Sequence, residues 1–307
     1  MKRKLLLVLI ALLVLALAGA GWTYHNITKR VVGEYFDADG VRIHYTVEGQ
    51  GEPVVLVHGF AANADANWRA PGITEALAKD YKVICLDNRG HGLSGKPHDP
   101  AKYGTEFCKD IVRLLDHLKI EKAHVVGYSM GSFITLKFVT MYPERLLSAA
   151  PCGAGWEREN DPDNHTLEIA ESLEERQDFT PLFQAISPPG KLPGRRGLLS
   201  INYVLNLTND AKALACVMRS LNNLIVTEAE LKACTVPTIS IVGTNDPLRD
   251  GVDRMKDVMG NHETVYIEGT DHISTIRDPK FLDTLRAFLK KHGAGAKPEE
   301  HESRQAA

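Results

Sequence analysis

Short apolar runs recur along the first half of the chain, each ending in glycine, asparagine or a small polar residue. "EPVVLVHGF", "YKVICLDNRG", "KAHVVGYSM" and "LLSAAPCG" are continuous rather than alternating. Strands of that kind are covered on both faces. Helical periodicity separates the later ones, at about Pro71–Lys79, Glu106–Leu118 and Met130–Met141. Before them, "GVRIHYTVEG" alternates like a half-buried strand. The pattern predicts an α/β fold: a mainly parallel central sheet flanked by helices.

The strand rhythm stops from Ala154 to Ala233. That stretch is charged ("LEIAESLEERQ"), broken by "SPPGKLPGRRG", and helical again through "DAKALACVMRSLNNLIV". "TEAELKAC" opens with a capping box, Thr227 and Glu230. "VPTISIVG" and "ETVYIEG" then restore the strands. A last helix is capped by Asp278, has Pro279 in its first turn and stops at Gly293. The expected organisation is a core of residues 29–153 and 234–293, a helical cap over 154–233, and a disordered tail over 294–307.

The N-terminus follows another pattern. "MKRK" precedes the uncharged run "LLLVLIALLVLALAGA", Leu5 to Ala20. A basic start, an apolar stretch and small residues fit a secretory signal. As a helix the run is about 24 Å long, and the bilayer core is roughly 30 Å. Extended through Tyr24 it becomes long enough for a retained anchor. Residues 1–28 are therefore read as signal peptide or membrane anchor, with the rest of the chain outside the cytoplasm: periplasmic, extracellular or tethered.

Composition removes several other functions. A net charge of -3 gives no footprint for nucleic acid. No H-E-x-x-H, EF-hand loop or P-loop is present, and "GAGWER" lacks the third glycine of a dinucleotide loop. No metal and no cofactor is implied. The five cysteines contain no C-x-x-C, although Cys216 and Cys234 would be free to pair after export.

The candidate chemistry sits in "HVVGYSMGSF". G-x-S-x-G between a strand and a helix sets Ser129 on a sharp, strained turn that lifts its hydroxyl off the sheet, with Gly127 and Gly131 making room. The helix beginning at Met130 points its positive end at the same place. Such a serine needs a base and a group that orients the base. His272 lies in a loop just past the last strand, whereas His44 and His124 read as strand residues and His165 and His262 as surface. Asp246 follows "TISIVGTN" at a strand's C-terminal end; Asp271 is awkwardly adjacent to the histidine, and Asp161 or Asp163 would place the acid one strand earlier. The backbone N–H groups of Met130 and Phe60 are the candidate oxyanion hole, and His58 is read as a brace for the loop that carries Phe60.

With "HGF" (58–60), "DNRGHGLS" (87–94), "GYSMGS" (127–132), "GTNDP" (243–247) and "GTDH" (269–272) in this order, the chain resembles the α/β-hydrolase family over residues 34–153 and 234–292. The resemblance makes these segments the oxyanion loop, a structural turn, the nucleophile elbow and the triad acid and base. Ser132 stands where many relatives have a second glycine, and Ala61 where dehalogenases and epoxide hydrolases commonly have proline. Those relatives use aspartate as nucleophile, so Ser129 points to acyl transfer. The expected function is a cofactor-free serine hydrolase acting on a small-molecule carboxylic ester. C–C bond hydrolase, perhydrolase and acyltransferase chemistry share the triad, and a membrane-tethered binding protein with a dead site is the reading from another class.

Overall fold

The computed structural model describes residues 33–294, except residues 160, 162 and 163. The leader expected over 1–28, all of the expected tail beyond residue 294, and Asp163 lie outside the described residues.

The continuous apolar runs become adjacent parallel strands. β3 (Glu52–Val57) lies between β4 (Tyr81–Leu86) and β5 (Ala123–Tyr128), and β6 (Leu146–Cys152), β7 (Thr238–Gly243) and β8 (His262–Ile267) continue the parallel set. Every residue of β5 and β7 is buried, as a strand covered on both faces requires. β1 (Glu34–Ala38) and β2 (Val41–Glu48) add an antiparallel edge, giving the order β1-β2-β4-β3-β5-β6-β7-β8. β1 is absent from the sequence reading. Its signal was the Asp39-Gly40 pair: both residues have positive φ, as a two-residue type I′ hairpin demands.

Among the described residues, the first half of the chain carries α1 (Ile73–Leu77), α2 (Glu106–His117) and α3 (Met130–Met141). α1 is shorter than the predicted 71–79, because Gly72 sits at φ 81 and starts it late. A π-helical turn, Asp65–Arg69, precedes it. Between β6 and β7 come α4 (Thr166–Arg176), α5 (Thr180–Ile186), α6 (Arg195–Thr208), α7 (Ala211–Ser220) and α8 (Glu228–Lys232). The sequence reading missed α5 and α6. Prolines at 188, 189 and 193 break the chain only between these two helices. This inserted segment has its own apolar cluster, with Ile169, Leu173, Phe179 and Leu214 at its centre. α9 (Arg249–Lys256) and α10 (Pro279–Lys291) complete the fold; Asp278 accepts from the Lys280 N–H at 2.9 Å, and the capping box at Thr227 is formed.

Two further expectations need correction or closure. His262 is half-buried rather than exposed. It begins β8, its Nε2 lies 2.9 Å from Ser240 Oγ on β7, and burial pulls its pKa down to about 4. All five cysteines are free thiols, so Cys216 and Cys234 do not pair.

Topology places the site. From β3 the chain goes to β4 on one side and then to β5 on the other. Loops leaving neighbouring strands in opposite directions open a crevice at their carboxyl ends. The loops after β3 and β5 carry Phe60 and Ser129.

Candidate active site

Ser129 follows β5 and caps the start of α3 with φ 57 and ψ −118, a conformation that L-residues rarely hold. Its neighbours enforce the turn. A Cβ at Gly127 would run into the backbone of Gly131, and one at Gly131 into the Val57 carbonyl. The Ser129 N–H donates to the Cys152 carbonyl at 2.9 Å, fastening the elbow to β6. At 132 the hydroxyl has a use: Ser132 Oγ donates to the Ala154 carbonyl at 2.7 Å.

His272 Nε2 lies 2.9 Å from Ser129 Oγ, and His272 Nδ1 lies 2.9 and 3.1 Å from the two Asp246 carboxylate oxygens. Asp246 Oδ1 also accepts from the Leu248 N–H at 2.9 Å, which holds the carboxylate in place. His272 and Asp246 are 3% and 5% exposed, so this hydrogen-bonded pair is largely shielded from water. The loops carrying acid and base are tied together by the Asn245 N–H, which donates to the Thr270 carbonyl at 2.9 Å.

The competing acids are engaged elsewhere. Asp271 Oδ1 accepts from the backbone N–H of Ile273 and Ser274 and from Ser274 Oγ, capping the turn that presents His272. Asp161 lies 3.1 Å from the Arg254 guanidinium. Among the histidines, His58 is buried; its Nε2 accepts from the Asn88 N–H at 2.9 Å and its Nδ1 lies 2.7 Å from the Gly59 carbonyl. Burial lowers its pKa despite the nearby Asp87 carboxylate, so the ring is a neutral brace. His44 pairs with Asp87 at 3.1 Å and His124 lies 2.7 Å from Ser148 Oγ; His165 is exposed.

The loop after β3 comes close to the serine: a Cβ at Gly59 would sit 3.2 Å from Ser129 Cβ. Phe60 and Met130 both line the cavity at Ser129. Their N–H groups donate to no acceptor among the described residues. Ala61 has φ 53, a backbone that proline is unable to adopt, so the departure from the dehalogenase pattern is conformational as well as chemical.

Sequence reasoning missed two positioning residues. Asn67 Oδ1 accepts from the Gly59 N–H at 2.9 Å and so holds the loop before Phe60. Tyr128 donates its hydroxyl to the His272 carbonyl at 2.7 Å, and its ring lies 5.6 Å from the imidazole. Burial, then the Asp246 charge, raises the Tyr128 pKa well above the usual phenol value, which keeps it a donor. Its place beside Ser129 in "GYSMG" was the available signal.

The cavity holds about 570 Å³. Phe60, Met130 and Phe133 from the sheet side meet Ile169, Leu182 and Met218 from the insertion. Glu157 also lines it, and burial raises the pKa of its carboxyl. Among the described residues no cluster of His, Cys, Asp and Glu is arranged to hold a metal.

A serine on a strained elbow, hydrogen-bonded to an imidazole backed by a buried carboxylate, defines a hydrolase-type site in an α/β fold. A family profile described as the α/β hydrolase fold matches residues 52–180. The chain is 26% identical to 3-oxoadipate enol-lactonase 2 of Acinetobacter baylyi over 269 residues, 83% of this chain and 95% of that one. It is 31% identical over 185 residues to 2-hydroxymuconate semialdehyde hydrolase of Pseudomonas sp. strain CF600, 59% of each. The solved enol-lactonase of Burkholderia xenovorans LB400 superposes with a TM-score of 0.69 at 23% identity, over 84% of this chain and all of that one. The chain spans only 25 to 43% of the length of the first curated relatives it matches. The chain has the α/β-hydrolase fold, and residues 52–180 match that family's profile.

Proposed function

We propose that this hydrolase cleaves carboxylic esters, open-chain or cyclic, through an acyl-enzyme on Ser129. The reading is carried by one observation: Ser129 Oγ, His272 Nε2 and Nδ1, and Asp246 form a continuous hydrogen-bonded line. Ser129 Oγ attacks the ester carbonyl carbon while His272 Nε2 takes its proton. The carbonyl oxygen becomes an oxyanion facing the N–H groups of Phe60 and Met130. As the C–O bond to the alcohol breaks, His272 returns the proton to the leaving oxygen. Water, deprotonated by the same nitrogen, then releases the acid and restores the serine. Asp246 fixes the imidazole tautomer and stabilises the imidazolium.

The enol-lactonase relative supports the cyclic ester as a substrate form, since a lactone keeps its leaving alcohol on the same molecule. The 2-hydroxymuconate semialdehyde hydrolase relative supports C–C bond cleavage as the second reading, on the same residues. In this reading, the insertion is a cap whose side chains select the substrate. Residues 1–28 carry the domain out of the cytoplasm or hold it at the membrane. Among the described residues, no helix is long and apolar enough to cross a bilayer.

Incubation with a fluorophosphonate should label Ser129, identified by peptide mass. A panel of p-nitrophenyl esters, aliphatic lactones and a vinylogous β-diketone then separates the chemistries. Ester and lactone turnover is expected; turnover of the diketone alone would move the function to C–C hydrolysis. Absence of both labelling and turnover would leave a binding protein.

A further inference from the structure

Helix α6, "RRGLLSINYVLNLT", has no buried residue along its fourteen positions. Its inward face, Leu198, Ile201, Asn202, Leu205 and Asn206, is half-buried. The outward face holds Leu199, Tyr203, Val204 and Leu207, which are 61, 68, 54 and 66% exposed. At 100° per residue these four fall within about 140° of arc, one continuous stripe. Leu192, just before the helix, is exposed too. Single exposed leucines need no explanation, but a helix that turns its apolar side outward does.

The charges around the stripe identify what covers it. Lys191, Arg195 and Arg196 stand at its N-terminal end, and the helix itself carries no acidic residue. Arg195 borders the shallow groove that runs beside Leu199 and Tyr203, and Arg176 on the same groove is paired with the exposed Glu175 at 3.1 Å. Asp178, in the same groove, is occupied by the Thr180 N–H and hydroxyl. Apolar side chains on one face with basic residues at their edge match the boundary between anionic headgroups and acyl chains. The chain outside the structure points the same way. Its apolar run ends at Ala20, and Gly33 begins the domain, so the 12 intervening residues reach at most roughly 40 Å.

We propose that the outer face of α6 is a membrane-docking surface that lies in the interface of an anionic phospholipid bilayer. The proposal rests on the reading that residues 1–28 bring the domain to a membrane. It also gives the insertion a second role. Ser187 and Pro189 line the active-site cavity, and the chain runs from them directly into α6. Docking would bring that rim to the lipid, where water-insoluble esters reside.

The test uses the full chain with p-benzoylphenylalanine at Tyr203, and in a second sample at Lys119 on the sheet domain. Each is reconstituted with vesicles of phosphatidylcholine and phosphatidylglycerol and irradiated. Phospholipid adducts are expected at 203 and not at 119. A parallel variant, Leu199→Asp with Tyr203→Asp and Leu207→Asp, should keep its turnover of a water-soluble short ester. Its turnover of a long-chain ester dispersed in the vesicles should fall at least about tenfold. An adduct to a second copy of the chain, or lipid adducts equal at the two positions, would overturn the docking surface. Alkaline carbonate washing reports separately on the anchor: a chain released by the wash is not anchored, and the adduct at 203 still reads α6 because vesicles are present. The adducts do not depend on hydrolysis, so failure of the ester reading is also distinguishable.

Discussion

α3 and α6 are both rich in apolar residues, yet the molecule treats them in opposite ways. α3 buries eight of its twelve residues, and α6 buries none of its fourteen. The difference is not one of composition. α3 follows β5 through a two-glycine elbow that presses it onto the sheet, so every turn finds a partner. α6 follows a proline-broken loop and contacts the insertion with one side only. Apolar content tells how much surface must be covered; topology decides whether the protein itself covers it.

The largest test of this contrast lies where α3 begins. Ser129→Ala should leave a folded protein whose ester turnover falls by several powers of ten, measured as kcat with thermal melting as control. Asp246→Asn keeps the shape but loses the charge behind His272. A kcat loss on the order of 10⁴ is expected, as for the same change in a serine protease triad. Asp161→Asn, in the insertion, should change kcat by less than about threefold, since its partner is Arg254. A dead Asp161→Asn beside a healthy Asp246→Asn would relocate the acid.

Packing should separate the two helices next. Phe138 is fully buried in α3, so Phe138→Ala should cost about 3–5 kcal/mol in urea denaturation. Leu207→Ala on α6 should stay within about 0.5 kcal/mol. Equal costs would mean that the α6 face is covered within the protein.

The last test concerns pH. His91 is buried against His58 and Phe60, and burial pulls its pKa down to about 3. The unfolded value is near 6.5, so the folded state refuses a proton that the unfolded state accepts. The stability it contributes is whole above about pH 6.5 and drains as pH falls towards 3, by up to about 1.4 kcal/mol per pH unit. His91→Gln should flatten that limb of the denaturation profile, whereas His165→Gln on the exposed insertion serves as the control.

Much of this protein is legible in the chain alone. Continuous apolar runs mark the parallel strands because burial on both faces leaves no polar alternation. The elbow is legible because the strained serine tolerates only glycine two positions either side. Asp246 and His272 are legible as loop residues at strand ends. What the sequence did not determine is what long-range contact decides. His262 reads as polar surface until β7 brings Ser240 beside it. Tyr128 and Asn67 look like ordinary neighbours until their hydrogen bonds reach His272 and Gly59. α6 begins inside the broken stretch "SPPGKLPGRRG" and its remaining residues carry no assignment in the sequence; only the tertiary structure shows that its apolar side points out. Local pattern determines which residues need partners; the fold alone decides which partners arrive, since contacts distant in sequence leave no periodic trace.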